Sequence, residues 1–341
     1  MSKINIKELI YTFAELGKQL SAPDEELSVI INDESRYNAW FTPASVEKAV
    51  IAIGGMLNEP DLDAWLSNYD LAKAITPKKI GLILAGNIPL VGFHDVLCVL
   101  ASGNHALIKA SVQDARLIKH VLEKLVIIDD RFNSQFSFVE RLAGFDAVIA
   151  TGSNNSSRYF DYYFGKVPNI IRKNRNSLAV ITGNETEQQL YNLGHDIFDY
   201  YGLGCRNVSK ILIPKDYDLA IFFEAIEPYQ PIINHHKYNN NYDYNKSIYL
   251  VNSDKHFDNG FLLLKEDERF VSPLAVLYYS YYNDLAAAEQ LIENESEKIQ
   301  CVVSGVPLKV KSQVVDFGMS QQPKLWDYAD GIDTMDFLTS S

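Results

Sequence analysis

From Lys79 onward the chain changes period. Ile80-Gly81-Leu82-Ile83-Leu84-Ala85 is a short unbroken apolar run closed by Gly86-Asn87, the signature of a strand buried on both faces. Residues 89–100 are apolar enough for a core helix. A turn at Ser102-Gly103-Asn104 leads into a second apolar run, Ala106-Leu107-Ile108-Lys109-Ala110. Residues 114–127 read as an amphipathic helix. Ala147-Val148-Ile149-Ala150 reads as a third strand, closed by Thr151-Gly152-Ser153, and residues 177–182 as a fourth, closed by Gly183. A helix over 184–201, the turn Gly202-Leu203-Gly204-Cys205, a strand over 210–214 and a helix over 217–228 follow. Strands that alternate with helices return in the same direction, so the chain is constrained to an α/β fold with a parallel sheet covered on both faces. The segment 237–249, rich in Tyr and Asn, reads as a loop or irregular insertion.

Residues 1–75 have a different rhythm. Ile6, Leu9, Ile10, Phe13 and Leu16 recur at helical spacing, and a second such stretch, 45–57, follows the helix-start pair Thr42-Pro43. A length of 341 residues suggests two domains, and no long Pro/Gly/Ser linker separates them. Hydrophobic residues at 47% and charged residues at 22% are globular values.

Charge and cysteine content narrow the function. The formal net charge is −13, so phosphate backbones and anionic membrane surfaces are repelled. The densest basic run, Arg172-Lys173-Asn174-Arg175, has three charges, which argues against nucleic-acid binding. No apolar run is long enough to span a bilayer, and Met1 to Glu8 lacks the apolar stretch of a signal peptide. Cys98, Cys205 and Cys301 are too few and too odd in number for a disulfide framework; they read as thiols in a reducing, cytoplasmic setting.

Among these, Cys205 is the candidate nucleophile. Gly202 and Gly204 let the backbone bend and approach a substrate, and Arg206 and Lys210 add positive charge, which enriches a thiolate. A buried structural cysteine in a tight turn is the competing reading. Cys98 and Cys301 lie in apolar runs and read as core. Asn87 ends a strand, where open α/β sheets bind ligands, and its amide N–H suits a developing oxyanion; a plain turn or cap is the alternative. Thr151-Gly152-Ser153 also ends a strand and opens a helix, an arrangement able to bind phosphate. His235-His236 has no Cys/His cluster around it, so no metal site is expected. There is no GxGxxG, GxSxG or Walker A motif.

In order and approximate spacing, four blocks resemble the aldehyde dehydrogenase superfamily. Ala85-Gly86-Asn87-Ile88-Pro89-Leu90 resembles P-W-N-F-P-L, whose Asn helps form the oxyanion hole. The run from Ala101 to Ser111 resembles A-A-G-N-x-V-V-x-K-P-S, whose Lys contacts the adenosine ribose or its 2′-phosphate. Ala150-Thr151-Gly152-Ser153 resembles the F-T-G-S turn beside the cofactor, and Gly202-Leu203-Gly204-Cys205 resembles G-Q-x-C with its nucleophile. A looser fifth block, Glu268-Arg269-Phe270-Val271-Ser272-Pro273-Leu274, looks like E-I-F-G-P-V, whose Glu binds the nicotinamide ribose. The resemblance covers about Lys79 to Leu277. The general-base block E-L-G-G-K-S-P corresponds to Arg172-Lys173-Asn174-Arg175-Asn176-Ser177-Leu178, which has no carboxylate. Without that base, water is poorly activated against an acyl-enzyme. That departure, the short N-terminal part and the tail from Gln322 to Gly331 are similar to the LuxC-type acyl-CoA reductase branch.

The resemblance implies a dinucleotide-binding Rossmann-type domain with a helical N-terminal segment over 1–183, a catalytic cysteine domain over 184–315, and a tail over 316–341 packing back on the first domain. It implies Cys205 and Asn87 as catalytic residues, and Lys109, Thr151, Gly152, Ser153 and Glu268 as cofactor-binding residues. The implied reaction is reduction of an acyl-CoA or acyl carrier protein thioester to an aldehyde, with NADPH, or NADH, as hydride donor. A homo-oligomer or an acyl-activating partner protein is compatible with this reading. An acyl-phosphate reductase of the glutamyl phosphate reductase type, and a cysteine acyltransferase that binds no dinucleotide, share the same cysteine chemistry and stay open at this point.

Overall fold

The apolar runs at Ile80, Ala106 and Ala147 become neighbouring strands. In the computed structural model, which describes residues 5–71 and 76–340, the chain divides into two units: Met1–Asn174 with Lys324–Ser341, and Arg175–Pro323. The outer ends of the segment read as helical, residues 1–4 and 72–75, lie outside the described residues.

The first unit opens with four helices, α1 (Ile6–Ser21), α2 (Glu25–Asp33), α3 (Pro43–Met56) and α4 (Glu59–Leu66). Each begins on a side-chain cap, from Asn5, Asp24, Thr42 and Asn58 respectively. Their apolar faces bury Phe13, Leu16, Leu20, Val50 and Trp65 in the same core as the sheet. The sheet follows: β1 (Lys79–Ile83), α5 (Phe93–Ala101), β2 (His105–Lys109), α6 (Ala115–Ile128), β3 (Phe136–Phe138), β4 (Ala147–Thr151), α7 (Asn154–Phe164) and β5 (Asn169–Arg172). The strands are parallel in the order β3-β2-β1-β4-β5, so the chain leaves β1 toward one side and returns on the other. The crevice above β1 and β4 is thus a topological switch point, where open α/β sheets take ligands. The C-terminal segment completes this unit. Trp65 Nε1 donates to Tyr328 Oη at 2.6 Å, a ring nitrogen of His94 meets the Leu325 carbonyl at 2.8 Å, and the Arg172 guanidinium joins Asp95 to Thr334.

The second unit carries β6 (Asn176–Val180), α8 (Glu187–Phe198), β7 (Val208–Pro214), α9 (Leu219–Ile226), α10 (His236–Asn252), β8 (Phe257–Asp258), β9 (Leu263–Glu266), β10 (Val276–Tyr282), α11 (Leu285–Asn294), β11 (Ile299–Ser304) and β12 (Gln313–Val315). Its sheet runs β12-β11-β6-β7-β10-β9-β8, parallel throughout except for the β8–β9 edge pair. Alternate residues feed opposite faces: Ala179, Ile211 and Ile213 enter one apolar cluster, and Leu178, Val180 and Leu212 the other.

Three sequence readings are corrected. The strand read at 177–182 was grouped with the first domain, but β6 pairs with β7 and β11 in the second sheet. An apolar run specifies a buried strand, not its partners. The first sheet instead gains β3 and β5, too short or too polar to stand out. Residues 237–249 are helical, not a loop. Tyr238, Tyr242, Asn245 and Tyr249 form a buried stripe at helical spacing along α10, and Tyr and Asn register as polar although a tyrosine ring buries well. The core helix read from residue 89 starts only at Phe93, because Leu90 takes a φ of 57° and gives its N–H to the Asp114 carboxylate at 2.9 Å. No helix among the described residues is long and apolar enough to cross a membrane.

Candidate active site

In the first unit the motif residues gather on one edge. Ile83 of β1 is in register with Lys109 of β2 and Ala150 of β4, so the residues that follow these strands share the C-terminal edge of the sheet. Asn87 lies in the loop from β1 to α5 and is exposed, as are Lys109 and Ser153. Gly86 is buried directly against Ser111: a Cβ at position 86 would lie 2.4 Å from Ser111 Oγ and 2.5 Å from its Cβ. Only glycine lets the loop bearing Asn87 rest on the segment after β2. Asp114 then fixes the far end of that loop through Leu90, and burial pushes its carboxyl well above the usual range. Sequence reasoning missed Asp114.

Ser153 caps α7, accepting from Ser156 N at 3.2 Å. Gly152 packs under the helix, where a Cβ would come within 2.8 Å of the Phe160 ring. Together the edge offers an exposed ammonium, a helix N-terminus and amide and hydroxyl groups. That donor set fits a dinucleotide, whose phosphates and ribose hydroxyls need such partners.

In the second unit Cys205 sits in a turn just ahead of β7, partly exposed. Its approach is strained: Tyr200, Tyr201 and Gly202 have φ of 53°, 61° and 77°, the left-handed region that costs a tyrosine about 1 kcal/mol. A buried polar network holds this conformation. Asn207 Oδ1 accepts from Gly204 N at 2.8 Å, and Asn207 Nδ2 donates to the carbonyls of Asp196 at 3.1 Å and Asp199 at 2.9 Å. Ser177 of β6 donates to the Cys205 carbonyl at 3.1 Å, and its Oγ lies 3.1 Å from Cys301 Sγ. Asn207 and Ser177 were not singled out in the sequence, although an Asn two residues after Gly-Cys is itself a turn signal.

The cations expected to act on the thiol have other partners. Arg206 is buried, with Nε on the Ser320 carbonyl at 2.5 Å and Nη2 on Gln313 Oε1 at 2.6 Å. Lys210 Nζ donates to the Asp267 carbonyl at 2.9 Å. Asp196 accepts from Gly318 N at 2.6 Å and Ser320 N at 2.9 Å, so the 318–320 segment is tied to both α8 and the cysteine turn; burial pushes the Asp196 carboxyl up to about 6. Glu268 is exposed in the loop from β9 to β10, and this loop reaches β7 through Ser209 Oγ, which donates to the Phe270 carbonyl at 2.7 Å. Cys98 and Cys301 are buried in α5 and β11. His235 caps α10, accepting from Tyr238 N.

No curated protein matches the sequence. Solved structures match its fold at low identity. An NAD-dependent aldehyde dehydrogenase from Sinorhizobium meliloti is 9% identical with a TM-score of 0.64, over 92% of this chain and 75% of that one. Indole-3-acetaldehyde dehydrogenase AldA from P. syringae is 13% identical with a TM-score of 0.63, over 92% and 77%. Betaine aldehyde dehydrogenase from Staphylococcus aureus is 11% identical with a TM-score of 0.64, over 93% and 76%. The fold is therefore that of the aldehyde dehydrogenases. The sequence model of the acyl-CoA reductase (LuxC) family matches residues 25–221, more than half of the 341 residues and a span that holds Asn87, Lys109, Thr151 to Ser153 and Cys205. The chain belongs to the acyl-CoA reductase (LuxC) family.

Proposed function

We propose that this protein reduces an activated acyl thioester, acyl-CoA or acyl carrier protein, to the aldehyde through an acyl-cysteine on Cys205, with NADPH as the reductant. The observation that carries this reading is the Cys205 turn: a partly exposed thiol on a backbone that Ser177 and Asn207 fix from either side. The Cys205 thiolate adds to the thioester carbonyl. Asn87 and a backbone N–H stabilise the resulting oxyanion. The C–S bond to CoA breaks, CoA leaves as thiolate, and the acyl group stays on Cys205. The dinucleotide, when bound, supplies one hydride to the acyl carbon. The thiohemiacetal then loses the Cys205 thiolate and releases aldehyde.

The residues around this chemistry take separate tasks. Lys109 contacts the adenosine ribose or its 2′-phosphate, Thr151, Gly152 and Ser153 form the turn beside the cofactor, and Glu268 accepts from the hydroxyls of the nicotinamide ribose. Support for a nicotinamide comes from the folds it resembles: the P. syringae and S. aureus enzymes were solved with NAD+. The stretch 172–178, where hydrolytic aldehyde dehydrogenases carry their base, offers no carboxylate, and Arg172 there is buried against Asp95. The acyl-enzyme is thereby kept for hydride rather than water.

The test is oxidation of NADPH with a panel of acyl-CoAs, alongside Cys205→Ala and intact mass of the acylated protein. Acyl-dependent oxidation in the native chain, lost by at least a thousandfold (~10³) in Cys205→Ala, is the expected result. An acyl adduct on Cys205 with no oxidation by NADPH or NADH would replace this reading with an acyltransferase. Neither signal with acyl-CoA, but oxidation with an acyl phosphate, would replace it with an acyl-phosphate reductase.

A further inference from the structure

Lys210 is an ammonium in the middle of a strand, fully buried at 0% exposure. Burial lowers its pKa, and the nearby Glu268 and Asp267 charges oppose that fall. A methionine of similar length would fill the same space without desolvating a charge. The use of the ammonium therefore lies in what it holds. Nζ donates to the Asp267 carbonyl at 2.9 Å and sits 5.0 Å from the centre of the Phe270 ring. Both partners belong to one short loop, the four residues from Asp267 to Phe270.

Other groups anchor the rest of that loop. Asp267 N donates to the Tyr279 carbonyl at 3.1 Å, and Ser280 Oγ shares the Asp267 carbonyl at 3.0 Å. The Asp267 carboxylate is taken by Arg269, at 2.9 Å from Nε and 2.6 Å from Nη2, and the Arg269 guanidinium lies 5.1 Å over the Tyr278 ring. Ser209, next to Lys210 in β7, holds the Phe270 carbonyl at 2.7 Å. Asp267, Arg269 and Phe270 are each committed to the sheet or to one another. Glu268 is exposed between them.

We propose that Lys210 is a positioning residue, holding the 267–270 loop from inside the sheet so that the Glu268 carboxylate is presented at one fixed place for a ribose. This rests on the assignment of Glu268 to the nicotinamide ribose. Lys210 touches neither substrate nor cofactor; it acts through the Asp267 carbonyl and the Phe270 ring. A fixed carboxylate binds a diol better than a mobile one because the ordering entropy is already spent in folding.

The experiment uses the full chain and NADPH as probe. Lys210→Met is expected to raise the KM for NADPH about tenfold, to speed amide exchange across 267–270, and to leave the rate of Cys205 acylation by acyl-CoA, measured without nucleotide, within about twofold. An unchanged KM with unchanged exchange would overturn the proposal. So would a loss of acylation as large as the rise in KM, because the effect would then be general to the unit. Where Lys210→Met does not fold, Phe270→Leu removes only the ring partner. It is expected to raise the same KM about threefold with acylation retained, and no rise would overturn the proposal. Glu268→Gln separates the two readings. If it leaves the KM for NADPH unchanged, the ribose assignment falls, and Lys210 is judged on loop exchange alone.

Discussion

The two units hold their candidate residues in opposite ways. In the first, Asn87, Lys109 and Ser153 stand exposed at the C-terminal edge of a parallel sheet, and the backbone is brought close by glycines that leave no room for a side chain. In the second, Cys205 precedes a strand, and its turn is held by buried polar side chains: Asn207, Ser177, Arg206 and Asp196. A ligand-binding edge needs accessible donors and close backbone approach, which an absent Cβ supplies. A candidate nucleophile on a strained backbone needs that strain opposed, which buried hydrogen bonds do because leaving them unmade costs so much.

The contrast is breakable, and the second unit offers the largest effect. Asn207→Ala removes the acceptor of Gly204 N and the donor to three carbonyls, those of Asp196, Ile197 and Asp199. The expected cost is about 4 kcal/mol in urea unfolding, with kcat falling more than KM rises. A cost below about 1 kcal/mol would mean that the turn holds itself.

Next is the pH dependence of Asp196, whose folded carboxyl lies at about 6, against an ordinary 3.8. The native chain then binds more protons than the unfolded one between these values, so stability falls as pH rises through that window. The contribution is up to about 3 kcal/mol. Unfolding followed from pH 4 to pH 6 is expected to show this fall in the native chain and a flatter profile in Asp196→Asn.

The first unit breaks differently. Gly86→Ala places a Cβ 2.5 Å from the Ser111 Cβ, and is expected to cost about 2 kcal/mol. Combining it with Ser111→Gly is expected to recover most of that loss, since the clash is between two side chains. Absence of rescue in the thermal melts would show that the loop is strained elsewhere. Smallest is Ser177→Ala, which loses the donor to the Cys205 carbonyl and is expected to cost about 1 kcal/mol. Its sharper readout is the rate of Cys205 acylation, expected to drop severalfold while the KM for NADPH, for which Ser177 has no proposed role, is retained.

Much of the glycine-held edge was legible in the sequence. Gly86 and Gly152 close apolar runs, and interruptions of that kind say where strands stop and where backbone comes close. The polar network was not legible. Asn207, Ser177 and Asp196 lie far enough apart in the chain that nothing local links them. Arg206 and Lys210 read as charges beside a thiol because they are near it in sequence, yet their heads face Ser320, Gln313 and Asp267. The helix α10 was hidden for a related reason: its buried stripe is tyrosine, whose ring packs like a hydrophobe while its hydroxyl scores as polar.

The sequence by itself determined the α/β class, the positions of most strands, the motif turns after β1 and β4 and before β2, and Cys205 as the one cysteine outside an apolar run. These are local properties: period, turn chemistry and the spacing of small residues act over a few positions. Only the tertiary structure decided that β6 belongs to the second sheet, that the tail expected to return to the first unit does so from Lys324 and not from residue 316, and that a lysine in β7 holds the loop of Glu268. Strand partners and buried hydrogen bonds join residues tens to hundreds of positions apart. Their energies depend on which groups meet out of water, and no window along the chain contains that information.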